Sequence, residues 1–270
     1  MFSCGRIIIR GGGDLATGVV QKFVRAGADV LVLEAPNPLA VRRTVALCEA
    51  VYDGTARVED LNAVRIKTPD EAEGCWQQGQ VPVLVDPEGR CIPAFRPDAV
   101  VDAIIAKHNL GTHRGMAPIT IGLGPGFEAG RDVDVVIETF RGHDLGRLIF
   151  KGGALPNTGT PGEIGGQSDL RVFHAPHAGA VHPIKSIGDV AQAGEAVLTV
   201  DATPVCTRFS GLIRGMLRGG TQVAKGTKIG DIDPRTDVDV HTISDKARCI
   251  GGGALEAYLH LAQKRKRSMP

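Results

Sequence analysis

Three consecutive glycines, Gly11-Gly12-Gly13, stand between an apolar run and a helical pattern, and a single acid, Glu34, ends the next apolar run. Residues of these types in this order can bind an anion. Gly11 permits a sharp turn, Gly12 continues it, and Gly13 lets the backbone approach a phosphate closely. A helix opening at Asp14 offers amide N–H groups and the positive end of its dipole to that anion. Ala16 takes the third position of a dinucleotide fingerprint, where helix and strand must pack tightly. Glu34 follows Gly13 by 21 residues, near the interval of about 20 at which a carboxylate meets a ribose 2′-hydroxyl. The set predicts a nucleotide site, with Glu34 favouring a free ribose, as in NAD. The competing reading is a turn whose glycines only allow close packing. Asp14 suits that reading, because its carboxylate caps a helix but repels a phosphate.

Two further residues could carry chemistry. Cys48 follows Arg42 and Arg43, and nearby positive charge would favour a thiolate able to carry sulfur or selenium. The commoner fate of such a cysteine is burial as an inert thiol. His143, beside Asp144, could exchange a proton with a substrate if the site were that of an oxidoreductase. His174, His177 and His182 lie close in sequence but complete no recognisable ligand set, so no metal is expected.

The elements that must position these residues follow from periodicity. Ile7-Ile8-Ile9 and Val30-Leu31-Val32-Leu33 read as strands flanking the helix that opens at Asp14. Val64–Lys67, Val81–Asp86 and Ile119–Leu123 read as further strands. Pro69 opens a second helix, and Pro97-Asp98 a third, with Val101, Ile104, Ile105 and His108 on one face and Gly111 as its stop. A second glycine loop, Gly122, Gly124 and Gly126, follows the Ile119 strand. Alternating strands and helices predict an α/β fold with a Rossmann-like, doubly wound parallel sheet, whose ligands sit at the carboxyl ends of strands. Asp134–Thr139 reads as another strand. The turn-forming stretch from Gly152 to Gly166 is long enough to be a functional loop or an interdomain connector.

Beyond Val172 the chain repeats itself at a shift of 32 positions: Gly179 meets Gly211, Gly188 meets Gly220, Gly194 meets Gly226 and Asp201 meets Asp233. Two half-repeats with aligned turn glycines predict an all-β domain similar to a biotinyl/lipoyl-like barrel-sandwich. The tip between the halves, Asp201–Cys206, has no lysine, so it carries no prosthetic group. Ser244 caps a final helix through Leu261 in which Gly251-Gly252-Gly253 imply close backbone packing or a ligand. The organisation expected is therefore a Rossmann-like nucleotide-binding domain (1–116), a glycine-rich connecting region with strands and loops (117–170), a barrel-sandwich domain (171–236) and a C-terminal helix with a basic tail (237–270).

With 270 residues the chain can bury a large core. A net charge of +1 and an aromatic content of 4% give no footprint of a nucleic-acid binder. No apolar run reaches the roughly 18 residues of a membrane span. The start, Met1–Arg6, does not read as a signal peptide. The six cysteines are scattered without a C-x-x-C pair, as expected of free thiols in a reducing cytoplasm.

Several stretches resemble one family from end to end. They are Ile8–Gly18, Pro38–Val45, Glu49–Tyr52, Gly122–Phe127, Arg141–Gly146, Asn157-Thr158-Gly159, Asp245–Arg248 and Ile250–Gly253. These resemble the YqeB family of selenium-dependent molybdenum hydroxylase system proteins, similar in context to XdhC-type chaperones of the molybdenum cofactor. The resemblance implies an accessory or maturation factor whose partner is a molybdenum hydroxylase. It also makes a molybdopterin dinucleotide a candidate ligand beside NAD. It brings no set of catalytic residues, and homo-oligomerisation stays open. Two other functions compete: an NAD-dependent oxidoreductase using His143, and a non-catalytic partner-binding protein whose glycine loops only shape an interface.

Overall fold

The computed structural model describes residues 5–157 and 169–268. The N-terminal start Met1–Cys4 and the loop residues Thr158–Gly166 weighed above lie outside them. The chain divides into two compact units, one formed by Met1–Pro38, Ala46–Asn157 and Ile243–Pro270, the other by Leu39–Val45 and Thr158–Thr242.

The first unit is built on strands β1 (Arg6–Arg10), β2 (Asp29–Glu34), β3 (Thr55–Val58), β4 (Leu61–Ile66), β5 (Val81–Val85), β6 (Ala99–Asp102), β7 (Ile119–Leu123), β8 (Val135–Ile137) and β9 (Leu148–Ile149). They form one nine-stranded sheet in the order β3-β4-β5-β2-β1-β6-β7-β8-β9. From β4 to β8 in that order all neighbours are parallel, while β3 and β9 close the two edges antiparallel. The helices are α1 (Asp14–Arg25), α2 (Ala50–Asp53), α3 (Ala72–Gln77), α4 (Ile92–Phe95) and α5 (Asp245–Ser268).

Strands covered on both faces need apolar residues at every position, which is why Ile7, Ile8 and Ile9 are all fully buried. Ile8, Leu31, Leu33, Leu84 and Val100 point to one face and pack with Cys75 of α3 and Ile92 of α4. Where α1 meets α5, Phe23 meets Tyr258 edge-to-face at 5.6 Å between ring centroids. Glycines let α1 and α5 cross closely: a Cβ on Gly18 would stand 2.5 Å from the Ala247 carbonyl oxygen, and one on Gly251 would overlap the Gly18 carbonyl. Gly18 and Gly251 thus serve backbone packing of α1 against α5.

This architecture corrects the expected doubly wound parallel sheet of Rossmann type. The sheet is mixed, and it runs past residue 116 to Ile149: the strands expected in a connecting region, here β7 and β8, belong with β9 to this same sheet. Among the described residues only α1 and α5 are long helices. The helix expected from Pro97 is instead β6 followed by a loop. Val100 and Val101 are wholly buried between β1 and β7, and a short run buried on both faces has no period that separates strand from helix.

The second unit carries β10 (Val172–His174), β11 (Gly179–Pro183), β12 (Val190–Ala191), β13 (Ala196–Val200), β14 (Thr203–Cys206), β15 (Gly211–Met216), β16 (Gln222–Val223) and β17 (Lys228–Asp233). They form two four-stranded antiparallel sheets, β10-β17-β15-β12 and β14-β13-β11-β16. This replaces the expected biotinyl/lipoyl-like barrel-sandwich made of two half-repeats. The strands interleave, because two-residue β12 and β16 each pair with the long strand of the opposite half, β15 and β11. Asp231 and Asp233 are buried in β17, with Arg171 3.4 Å from Asp231 and Arg235 2.8 Å from Asp233.

Candidate functional site

In a largely parallel sheet, ligands gather at the carboxyl edge where neighbouring strands are reached by connections of opposite direction. Here the chain leaves β1 towards β2 and returns on the other side as β6, so that point lies between β1 and β6. The turn Gly11–Gly13 and the acid Glu34 both sit on this edge. Glu34 Oε2 accepts a 2.7 Å hydrogen bond from the Gly12 N–H, and its Oε1 accepts one of 2.6 Å from Ala35. Burial pushes the Glu34 carboxyl above its usual range, against the pull of those two amides.

The three glycines are not equivalent. Gly11 has φ 95° and is packed against the loop after β6, with Ala103 O 3.0 Å from where a Cβ would stand. Gly12 is packed against Cys48, whose N–H donates to the Gly12 carbonyl at 2.9 Å. Among the described residues Gly13 faces open space: a Cβ there would meet none of them within 4 Å. It is the N-cap of the 12-residue helix α1, with no side-chain hydrogen bond capping that end. Ala16 is buried behind it, and Asp14 lies in the first turn. The second loop is occupied by the chain itself. Cβ atoms on Gly122, Gly124 and Gly126 would run into Phe127, Thr139 and His108 respectively.

Cys48 is 1% exposed. Burial and the negative charges of Glu34, Glu49 and Asp14 raise its pKa well above the usual thiol value. Arg42 and Arg43 belong to the second unit, where they donate to the carbonyls of Thr242 and Met216. Cys48 is therefore a protonated packing residue, and thiol labelling of the native protein should modify the exposed Cys206 and Cys249 while sparing it. Rapid labelling of Cys48 at pH 8, read by mass spectrometry, would reinstate a reactive thiol. His143 is exposed, and its neighbour Asp144 is committed to Arg147 at 2.7 Å. Among the described residues no group of three or more His, Cys, Asp or Glu could hold a metal ion, and no helix is long and apolar enough to cross a membrane.

The sequence reading missed the buried charge beneath the site. Arg10 and Asp102 end β1 and β6 in direct register, 1% and 2% exposed. Arg10 Nη1 lies 3.5 Å from Asp102 Oδ2, and Thr112 bridges them, accepting from Arg10 and donating to Asp102 at 2.6 Å. Arg10 Nη2 donates to Pro87 O at 2.8 Å and to Leu110 O at 3.5 Å. One guanidinium thereby ties down the loops after β5 and β6. The available signal was a charged residue closing each of two apolar runs.

What the residues define is a glycine turn with an open helix N-terminus on the carboxyl edge of a mixed α/β sheet. No protein-family model matches the chain. It is similar to the uncharacterized protein YqeB of Escherichia coli strain K12, 45% identical over 256 residues that cover 94% of this chain and 47% of YqeB. That identity supports placing the chain with YqeB, and the chain spans about half the length of this curated relative. Solved structures resemble it only remotely. An aspartoacylase family protein of Mesorhizobium loti shares 12% identity over 79% of this chain and 59% of its own, at a TM-score of 0.23. The ectoine utilization protein EutE of Ruegeria pomeroyi shares 8% over 85% of each, at 0.26.

Proposed function

We propose that this chain is an accessory, maturation factor for a selenium-dependent molybdenum hydroxylase and binds a nucleotide, or a nucleotide-bearing cofactor, at the turn Gly11–Asp14. The carrying observation is Gly13, whose open side stands at the uncapped start of α1 next to Glu34 on the same strand edge. The phosphate of NAD or of a molybdopterin dinucleotide would lie against Gly13 and the first turn of α1. Glu34 would exchange its Gly12 contact for a ribose hydroxyl. The hydroxylase as partner is supported by the sequence resemblance.

Gly13→Asp tests the site without endangering the fold. Gly13 has φ −69° and ψ −175°, which any residue adopts, and aspartate is a favourable N-cap. The variant should fold as the parent does while placing a carboxylate where the phosphate would go. In thermal unfolding with NAD, NADP, ATP, CTP and molybdopterin cytosine dinucleotide, a ligand at about 100 times its Kd adds roughly 2.7 kcal/mol. One ligand should stabilise the parent and fail to stabilise Gly13→Asp. An equal shift in both proteins would remove the ligand from this turn. A second reading, a non-catalytic partner-binding protein, is favoured by the glycines that pack against the chain itself. It predicts no shift with any nucleotide and capture of the hydroxylase by the ligand-free protein.

A further inference from the structure

We propose that the segment Ala103–Gly111 is a strained latch, shut over the crevice between β1 and β6 in this structure, that opens without unfolding of the strands beneath it. Its two ends are fixed. The Ala103 N–H donates to Arg10 O at 2.8 Å and the Ile104 N–H to Asp102 Oδ1 at 3.1 Å. At the far end Asn109 Oδ1 accepts from the N–H groups of Gly111 and Thr112, while Arg10 holds Leu110 O and the Thr112 hydroxyl.

The middle is different. The backbone N–H groups from Ile105 to Leu110 donate to no group among the described residues. Ile105 (φ 60°) and Lys107 (φ 67°) both take the left-handed conformation, which is a genuine outlier for a β-branched residue. Such strain persists only where the surroundings over-determine it, and the two glycine loops are those surroundings. Gly11 seats Ala103 and Ile104. Gly126, at φ 109°, seats Lys107 and His108, whose backbone N would be 2.7 Å from a Cβ at that position. The closed segment is thus anchored at its ends, clamped by two glycines and under strain between them. Release lowers the strain and uncovers Gly11. The ligand reading of the turn supplies only what the opening admits, and the latch itself is tested without a ligand.

The test is native-state amide exchange followed by NMR. The amides of Ile104, Gly111 and Thr112, bonded to the side chains of Asp102 and Asn109, report the latch, and those of Ile8 and Val101 report the strands. In the parent, the first set should exchange by an opening insensitive to low denaturant, at least about tenfold faster than the second. Ile105→Gly removes the β-branched side chain from the left-handed position and should slow latch exchange by about fivefold. Lys107→Asn should do the same, because asparagine tolerates that conformation without adding the freedom of glycine, and the exposed Lys107 side chain leaves the fold intact. Exchange of all five amides only through global unfolding overturns the latch. So do two variants that leave latch exchange unchanged or faster. Neither result bears on Gly13→Asp, which decides the ligand site separately.

Discussion

Replacing Arg10 by methionine should cost the first unit about 3–5 kcal/mol, because it leaves Asp102 as a buried charge without its counter-ion. Methionine fills much of the same volume, so the loss is electrostatic rather than a cavity. The single tryptophan gives a local readout. Trp76 donates its indole N–H to Val30 O in β2 at 2.9 Å and packs edge-on to Phe95, so urea unfolding followed by its fluorescence reports this unit. The double variant Arg10→Met, Asp102→Asn should recover most of the loss, since the amide oxygen still accepts from the Ile104 N–H and the amide NH2 can donate to the Thr112 hydroxyl that Arg10 no longer occupies, without the charge. A double variant no more stable than Arg10→Met alone would mean that Arg10 acts through its loop contacts to Pro87 and Leu110.

The pH dependence has a definite sign. Burial raises the Asp102 pKa above its unfolded value, while Thr112, the Ile104 amide and Arg10 oppose the shift. A carboxyl raised in the native state contributes stability that is present below the unfolded pKa of about 3.9 and lost as pH rises through the native value. Removing Arg10 takes away one opposing group and raises the native pKa further. The cost of Arg10→Met should therefore be greatest near neutrality and shrink as pH falls towards 4. A cost that is flat with pH would mean that Arg10 does not change the folded-state pKa of Asp102.

This pair also marks how far the sequence could be read. The strands β1, β2, β5 and β7 are legible as apolar runs, and the Gly13–Glu34 interval locates a real contact region, with Glu34 bonded to Gly12. That Arg10 faces Asp102 depends on β6 lying beside β1, a long-range choice that neither run encodes. The antiparallel edges were illegible for a related reason: β3 and β9 have four and two residues, too few to show a period. Ile104, Ile105 and His108 fit the face of a helix in sequence, yet tertiary clamping by Gly11 and Gly126 holds them as an irregular loop. In the second unit the turn glycines gave the repeat, whereas the exchange of β12 and β16 between halves is a pairing decision visible only in the folded chain.

Three adjacent glycines in α5 should respond to alanine with opposite signs. A Cβ on Gly252 would meet none of the described residues within 4 Å, so Gly252→Ala should gain the full helix-propensity difference, about 1 kcal/mol. Gly251 and Gly253 each face backbone: their Cβ atoms would overlap the carbonyl oxygens of Gly18 in α1 and of Gly146 in the loop before β9. Backbone cannot rotate aside as a side-chain tip can. Overpacking of this kind costs about 1–3 kcal/mol, which exceeds the propensity gain, and it forces α5 away from α1. Gly251→Ala and Gly253→Ala should therefore lower the urea midpoint of the Trp76 signal while Gly252→Ala raises it. Pairing Gly251→Ala with Gly18→Ala should be worse than either alone, because a Cβ on Gly18 would meet Ala247 O from the facing helix. If all three alanine variants were stabilising, α1 and α5 would have to stand farther apart than their glycines require, and the run in α5 would have some use other than packing.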